Sequence, residues 1–240
     1  MSGMSLTDEQ YQRFRKQLSL PGMSAEAQDR LIAGHVVILG IDNWGSLTAQ
    51  YLADAGVGHL TLVDEDEQAL KSAAANLQNS APNNPQLKID SKHWSFATAE
   101  AEKLASGANV VVDALSNWQH KLAVSDLCML LKLPLVHAGG SGFRYQVYTM
   151  LPGRSACLRC AFQEVGMDDV PLTSTDTSSL LAIAAMIGAL EAVETIKLIG
   201  KIGASQGNEM WKFDWLSGEF ETVRGLNPRR DCPDCGRHLK

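Results

Sequence analysis

The sequence has little positive charge and no basic tract. Its 240 residues include 21 Lys and Arg against 27 Asp and Glu, which gives a formal net charge of −6. Because non-specific nucleic-acid binding depends on Lys and Arg that neutralise phosphates, this balance argues against a nucleic-acid partner. The composition is otherwise globular, with 45% hydrophobic and 20% charged residues, and this excludes a disordered chain.

The sequence also lacks a secretory signal and a segment suited to a bilayer. The N-terminal segment is polar and has no apolar core of the kind that signal peptides carry. The most apolar stretch, residues 180–200, contains Glu191, Glu194 and Lys197, which are costly at a bilayer centre. We therefore expect a cytoplasmic protein with no membrane partner, in which this stretch is a buried helix.

The alternation of strand-like and helix-like runs predicts an α/β fold. We expect a Rossmann-like, mostly parallel sheet flanked by helices, with antiparallel C-terminal strands and a zinc knuckle. No repeat or low-complexity linker divides the chain, so residues 1–240 are predicted to form a single domain. The predicted strands are 35–40, 59–64, 87–93, 110–115, 133–138 and 145–150, with a hairpin at 210–215 and 220–224. The predicted helices are 7–18, 25–33, 45–55, 68–79, 97–105, 118–132 and 178–199.

Four of the five cysteines form two C-x-x-C pairs, at residues 157–160 and 232–235. In a reducing compartment, two such pairs are typical of a four-thiolate zinc site, because each pair places two sulfurs on one side of a tight turn. A redox dithiol would need only one pair. The sequence therefore predicts a closed, structural Zn²⁺ site whose ligands are Cys157, Cys160, Cys232 and Cys235.

The turn after the first predicted strand resembles a phosphate-binding loop but is altered. Gly40 and Gly45 match the first and last glycines of a G-x-G-x-x-G pattern, and Asp64 ends the next strand, where a ribose would be held. The middle glycine is replaced by Asp42, whose carboxylate would repel a phosphate. Two interpretations remain open from spacing alone: a nucleotide pocket, or a structural turn that no longer holds phosphate.

Ordered segments over nearly the whole chain resemble the ThiF/MoeB/HesA family, the bacterial branch of ubiquitin-activating-type enzymes. The segments that carry the resemblance are 51–64, 133–140, 188–194 and 213–220, together with both C-x-x-C pairs. The resemblance implies a homodimer that uses ATP and Mg²⁺ to adenylate the C-terminal Gly-Gly of a small ubiquitin-like carrier. It also implies that the nucleotide is held by Gly40, Gly45, Asp64, Asp66 and Lys71, whereas no catalytic residue can be assigned.

The sequence departs from the family pattern at several functional positions. Asp42 and Asn43 replace two loop glycines, Lys16 stands at an arginine of the first helix, and an arginine after Asp66 is deleted. Ser116 replaces the magnesium-linked aspartate, and Ser174 replaces a sulfur-handling cysteine. Because charge neutralisation is central to attack at a phosphate, we predict weak or lost adenylation.

Two alternatives remain open beside a weakly active enzyme. One is a non-catalytic scaffold that pairs with an active paralogue or binds a carrier without activating it. The other is a protein that binds a different small molecule in the remodelled pocket. In the active case, Asp113 would be the remaining carboxylate that could hold magnesium.

Overall fold

The computed structural model describes residues 6–41, 44–80, 84–94, 105–162, 180–205 and 207–236. Asp42, Asn43 and Ser174 lie outside the described residues, as do positions 97–104 of one predicted helix. The described helices are α1 (Asp8–Leu18), α2 (Ala25–Ile32), α3 (Trp44–Asp54), α4 (Glu67–Ser80), α5 (Trp118–Leu131), α6 (Leu158–Ala161) and α7 (Leu181–Gly200).

Eight described strands form one mixed sheet. They are β1 (His35–Leu39), β2 (His59–Asp64), β3 (Lys88–His93), β4 (Val110–Asp113), β5 (Leu135–Ser141), β6 (Arg144–Met150), β7 (Glu209–Asp214) and β8 (Glu219–Arg224). The order across the sheet is β3-β2-β1-β4-β5-β6-β7-β8. The first five strands in this order run parallel and the last three antiparallel, which confirms the predicted fold class.

Helix starts follow the capping signals in the sequence. Thr7 and Gln10 form a capping box at α1, and the Ser24 side chain accepts the Ala27 N–H at the start of α2. Asn117 caps α5 through the N–H groups of Gln119 and His120. These local hydrogen bonds fix where the helices begin relative to the strand ends.

Helices cover both faces of the parallel part of the sheet. One face packs on α2, α3, α4 and α7 around a core that includes Leu31, Leu52 and Leu62. The other face packs on α5 and on the cysteines around a core that includes Val111 and Leu135. No described helix is both long enough and apolar enough to cross a membrane.

The fifth strand is longer than predicted. The prediction ended this strand at Ala138, but β5 continues through Gly139 and Gly140 to Ser141 because β6 pairs with it as far as Ser141 and Arg144. Asp113, the last residue of β4, pairs with His137. Residues 138–141 therefore project beyond the end of β4, on the side of the sheet where ligands bind in folds of this type.

Candidate nucleotide site and cysteine cluster

The turn after β1 is held by close packing of its two outer glycines. Gly40 has a φ of +86°, and a Cβ there would lie 2.6 Å from the carbonyl oxygen of Ala114. A Cβ on Gly45 would lie 1.8 Å from the carbonyl oxygen of Gly40. Both glycines are therefore required by the contact between β1, β4 and α3, whether or not a phosphate binds.

Asp64 lies beside this turn, as predicted, and its carboxylate bonds the backbone. Its Oδ2 accepts the N–H of Ile41 at 2.6 Å, and its Oδ1 accepts the N–H of Asp66 at 2.9 Å. The Asp66 carboxylate in turn accepts the N–H groups of Gln68 and Ala69 at the start of α4. The structure thus brings Gly40, Asp64 and Asp66 together. The Ile41 N–H, however, already donates to Asp64 and is not free to bind a ligand.

The remaining candidate residues for the nucleotide site lie apart from Asp64 and Asp66 or point into solvent. Lys71 lies one turn into α4, where its Nζ contacts Glu67 Oε2 at 3.2 Å, and its side chain is 70% exposed. Arg15 and Lys16 are exposed on α1. Ser116 is exposed in the loop between β4 and α5.

Asp113 does not face a ligand space among the described residues, because it is fully buried and paired. Its Oδ1 accepts a hydrogen bond from Lys121 Nζ at 3.2 Å, and its Oδ2 accepts one from His137 Nδ1 at 2.7 Å. Lys121 Nζ also donates to the carbonyl oxygen of Ala138 at 2.7 Å. This arrangement leaves Asp113 poorly placed for the magnesium role considered above.

The charges of this buried network determine its protonation. Burial raises the pKa of Asp113, but Lys121 and the hydrogen bond from His137 outweigh burial and hold that pKa below its usual value. Burial and Lys121 lower the pKa of His137. The carboxylate therefore stays ionised and the imidazole neutral, with its proton on Nδ1, since an ionised carboxylate can only accept.

A second buried carboxylate lies under the turn, on α7. Glu191 Oε2 accepts a hydrogen bond from Thr48 Oγ1 on α3 at 2.8 Å, and the Glu191 side chain is fully buried. Burial raises the pKa of Glu191 well above its usual value, with Thr48 opposing the shift. Glu191 therefore holds its proton to higher pH than an exposed glutamate does, at the contact between α3 and α7.

The four cysteines come together as predicted. All four are buried, and their sulfurs lie within 4.8 Å of one another. The Sγ–Sγ distances are 3.6 Å for Cys157–Cys232 and 3.4 Å for Cys160–Cys235. Four thiolates bound tetrahedrally at about 2.3 Å from zinc are about 3.8 Å apart, so the cluster has the dimensions of a closed metal site.

Local structure around the cluster shifts its thiols in different directions, since burial raises the pKa of Cys157 and raises that of Cys235 to about 11. Cys157 precedes the short helix α6, an element that the sequence reading missed. Burial raises the pKa of Cys232, but backbone N–H groups of Cys235 and Asp234 outweigh burial and bring that pKa down to about 7. Arg229 Nε lies 3.4 Å from Cys160 Sγ and supplies positive charge beside the sulfurs.

Comparison with known sequences identifies the protein family of this chain. The family model described as the ThiF family matches residues 14–81 and 68–234. The chain belongs to the ThiF family. It is 32% identical over 256 residues to the adenylyltransferase and sulfurtransferase MOCS3 of Mus musculus, covering 97% of this chain and 54% of that protein. It is 28% identical over 253 residues to the SAMP-activating enzyme E1 of Haloferax volcanii, covering 97% of this chain and 92% of that protein.

Solved structures of E. coli MccB share the fold of this ThiF-family chain. MccB with MccA-N7isoASN has a TM-score of 0.79 and 19% identity, and the match covers 97% of this chain and 76% of that chain. MccB with N-formylated MccA has a TM-score of 0.80 and 18% identity, and that match covers 98% and 77%. The chain spans about half the length of the MOCS3 relatives it matches.

Sequence reasoning found the cysteine cluster but missed the buried network beside the turn. Asp113 and His137 end up side by side because β4 and β5 are parallel neighbours, and Lys121 reaches them from α5. The available signal was a lysine within an apolar helix and a histidine within an apolar strand. Pairing β4 with β5 in register would have placed Asp113 beside His137.

Proposed function

We propose that this chain is a carrier-activating protein of the ubiquitin-activating type, in which adenylation is weak or lost. It would bind the Gly-Gly end of a small ubiquitin-like protein at the C-terminal edge of the parallel strands. Membership of the ThiF family over most of the chain supports the class, and the activities for which the MOCS3 and SAMP-activating relatives are named agree with it.

The contact between Asp64 and the turn is the observation that carries the weak-adenylation part of the proposal. Ile41 lies in the turn just after β1. Its backbone N–H is bonded to Asp64 Oδ2 and is therefore not free to bind a phosphate. Lys71 pairs with Glu67, and Asp113 is buried with Lys121. Among the residues that the structure describes at this edge, a phosphate would therefore meet few free donors and cations to support nucleotidyl transfer. A non-catalytic partner of an active paralogue is the alternative that this arrangement favours.

If ATP and Mg²⁺ bind, the nucleotide would occupy the edge formed by Gly40, Gly45, Asp64, Asp66 and Lys71. Asp64 would exchange a backbone hydrogen bond for one to the ribose, and Lys71 would leave Glu67 for a phosphate. Mg²⁺ would supply charge neutralisation at the phosphates. These rearrangements would break hydrogen bonds that the chain already makes, and the free energy lost in this way is consistent with weak binding.

We also propose that the cysteine cluster holds one structural Zn²⁺, that residues 1–240 form one domain, and that the protein acts in the cytoplasm as a homodimer. The sulfur spacing supports zinc. Zinc with four thiolates has no free coordination position, so the metal would tether the C-terminal segment to the sheet rather than take part in chemistry.

Calorimetric titration separates the parts of this proposal. We expect a Gly-Gly-ended carrier to bind and ATP with Mg²⁺ to bind weakly, by comparison with an active family member. Carrier binding should be lost when the two terminal glycines are deleted. Failure of every Gly-Gly-ended carrier to bind would overturn the carrier part, and tight ATP binding would overturn the remodelled-pocket part.

A further inference from the structure

Two histidine rings stack at the amino ends of the first two strands, at the opposite edge of the sheet from the nucleotide turn. His35 is the first residue of β1 and pairs in register with His59, the first residue of β2. The ring centroids are 3.8 Å apart, and the planes differ by 8°. Both residues are partly buried, so the fold holds the two imidazoles face to face.

Hydrogen bonds tie this stack to the edge strand of the sheet. His59 Nε2 lies 2.8 Å from Asp90 Oδ2 on β3, and Lys88 Nζ lies 2.9 Å from the same oxygen. His35 Nε2 lies 2.9 Å from Thr61 Oγ1 on β2. Because β3 is the outermost strand beside β2, the stack fastens the first residues of β3 to the two strands next to it.

The hydrogen bonds of His35 suit a neutral ring. A bond from the ring to the Gly107 backbone uses the one proton of the neutral form, so Nε2 accepts from the Thr61 hydroxyl. Burial and the neighbouring His59 lower the pKa of His35, and the bond to Gly107 opposes them. Among the described residues, the charged and titratable groups that act on His35 are His59, Lys88 and Asp90.

The first and second protons have opposite effects on this arrangement. A proton on His59 turns its contact with Asp90 into an ion pair, and Asp90 is ready to accept it, since Lys88 and His59 hold the pKa of that carboxyl below its usual value. A second proton, on His35, places two positive charges face to face and makes Nε2 a donor. Separating the rings relieves this repulsion and breaks the bond from His59 to Asp90.

We propose that the stacked pair of His35 and His59 is an acid-sensitive latch, which holds the first residues of β3 and releases them when both rings carry a proton. Because the pKa of His35 in the folded chain lies below the ordinary value of 6.5, this stabilisation is complete above pH 6.5 and falls as pH drops below it. Release uncovers the start of β2, and uncovered strand edges are sites of association between chains.

Amide hydrogen exchange of the whole chain, corrected for its intrinsic pH dependence, measures the latch. We expect the protection of amides 88–90 to fall about threefold to tenfold between pH 6.5 and pH 5.5, since one proton changes an equilibrium by at most tenfold per pH unit. Equal protection of these amides at the two pH values would overturn the proposal.

Variants separate the latch from other effects of acid. His35→Phe keeps a stacked ring that takes no proton, so the fall in protection of amides 88–90 should disappear; His35→Asn replaces it if the phenylalanine variant does not fold. His120→Asn is the matched control, because burial also lowers the pKa of His120, which lies on α5 near Glu65. It should retain the wild-type fall. A fall that persists in the folded His35 variant would overturn the latch.

Titration of the histidine rings by NMR gives a readout that strand stability alone does not move. In His59→Asn, whose amide can still donate to Asp90, the titration midpoint of His35 should move upward because the neighbouring charge is gone. Asp90→Asn should lower the protection of amides 88–90 at both pH values, because the link from the stack to β3 is weakened. An unchanged His35 midpoint, or unchanged protection in Asp90→Asn, would contradict the mechanism of the latch.

Discussion

At the scale of single residues, the glycines of the turn show why a loop pattern is weak support for phosphate binding. Gly40 is fixed by a left-handed φ and by its contact with the Ala114 carbonyl, and Gly45 by its contact with Gly40. Both would be needed in a chain that bound no nucleotide. Asp64 bears more directly on function, because its hydrogen bond to Ile41 determines which donors a phosphate could meet.

Substitution at Gly40 should therefore destabilise the fold with or without nucleotide. Gly40→Ala has both an unfavourable φ and a backbone clash, whereas Gly142→Ala has an unfavourable φ of +58° and open space. We expect Gly40→Ala to lower the free energy of unfolding by about 1–3 kcal/mol more than Gly142→Ala. Urea denaturation measures both, and equal losses would contradict the packing role.

Glu191 gives a prediction about pH. Because its pKa is raised from an ordinary value of 4.5, the folded chain keeps a proton that the unfolded chain releases above that pH. Its contribution to stability is therefore present below about pH 4.5 and falls as pH rises toward the folded pKa, by at most about 1.4 kcal/mol per pH unit.

Glu191→Gln removes that dependence and keeps an oxygen for Thr48. The stability of the variant relative to wild type should increase from pH 4.5 to pH 7.5 in denaturant titrations. Glu219→Gln, at an exposed position of β8, is the control. A difference between Glu191→Gln and wild type that does not change with pH would show that Glu191 is ionised in the folded chain.

At the scale of elements, local sequence signals predicted most of the fold, and pairing between strands accounts for much of what they missed. Helix α1, which begins at the Thr7–Gln10 capping box, and the β7–β8 hairpin depend on short-range features, and both elements lie where predicted. The extension of β5 through Gly139 and Gly140 depends on β6, which no local pattern encodes. The Asp113–His137–Lys121 network likewise needs three elements in register.

The cysteine cluster was predictable because each C-x-x-C pair sets its own local geometry, and only the meeting of the two pairs is long-range. Stoichiometric zinc is expected by elemental analysis of the reduced protein. Cys232→Ser should lose that metal and lower Tm by at least about 5 °C, because a structural site contributes folding free energy.

Cys128→Ser is the matched control for the cluster, since Cys128 is a buried cysteine outside it. This variant should keep its zinc even if it loses some packing. A chelator should lower the Tm of wild type and leave that of Cys232→Ser unchanged. Full-length protein without metal and with an unchanged Tm after chelation would contradict the zinc site.

At the scale of the whole molecule, α7 carries an apolar surface suited to the proposed dimer. Leu181, Met186 and Val193 are 72%, 45% and 51% exposed. Light scattering should give twice the 26.0 kDa chain mass, and Val193→Asp should shift the protein toward monomer. Leu130→Asp, on the exposed surface of α5, should not change the mass. A monomer at micromolar concentration would contradict the proposed homodimer.

We propose that this ThiF-family chain retains the fold while its nucleotide edge has lost most of its capacity for adenylation. ATP–pyrophosphate exchange with Gly-Gly-ended carriers tests it most directly, with an active family member measured in parallel. We predict exchange at least about a thousandfold slower than the control, the expected result of losing more than about 4 kcal/mol of transition-state stabilisation. Exchange near the control rate, abolished by Asp64→Ala or Lys71→Ala, would contradict the claim and show that the edge is a working active site.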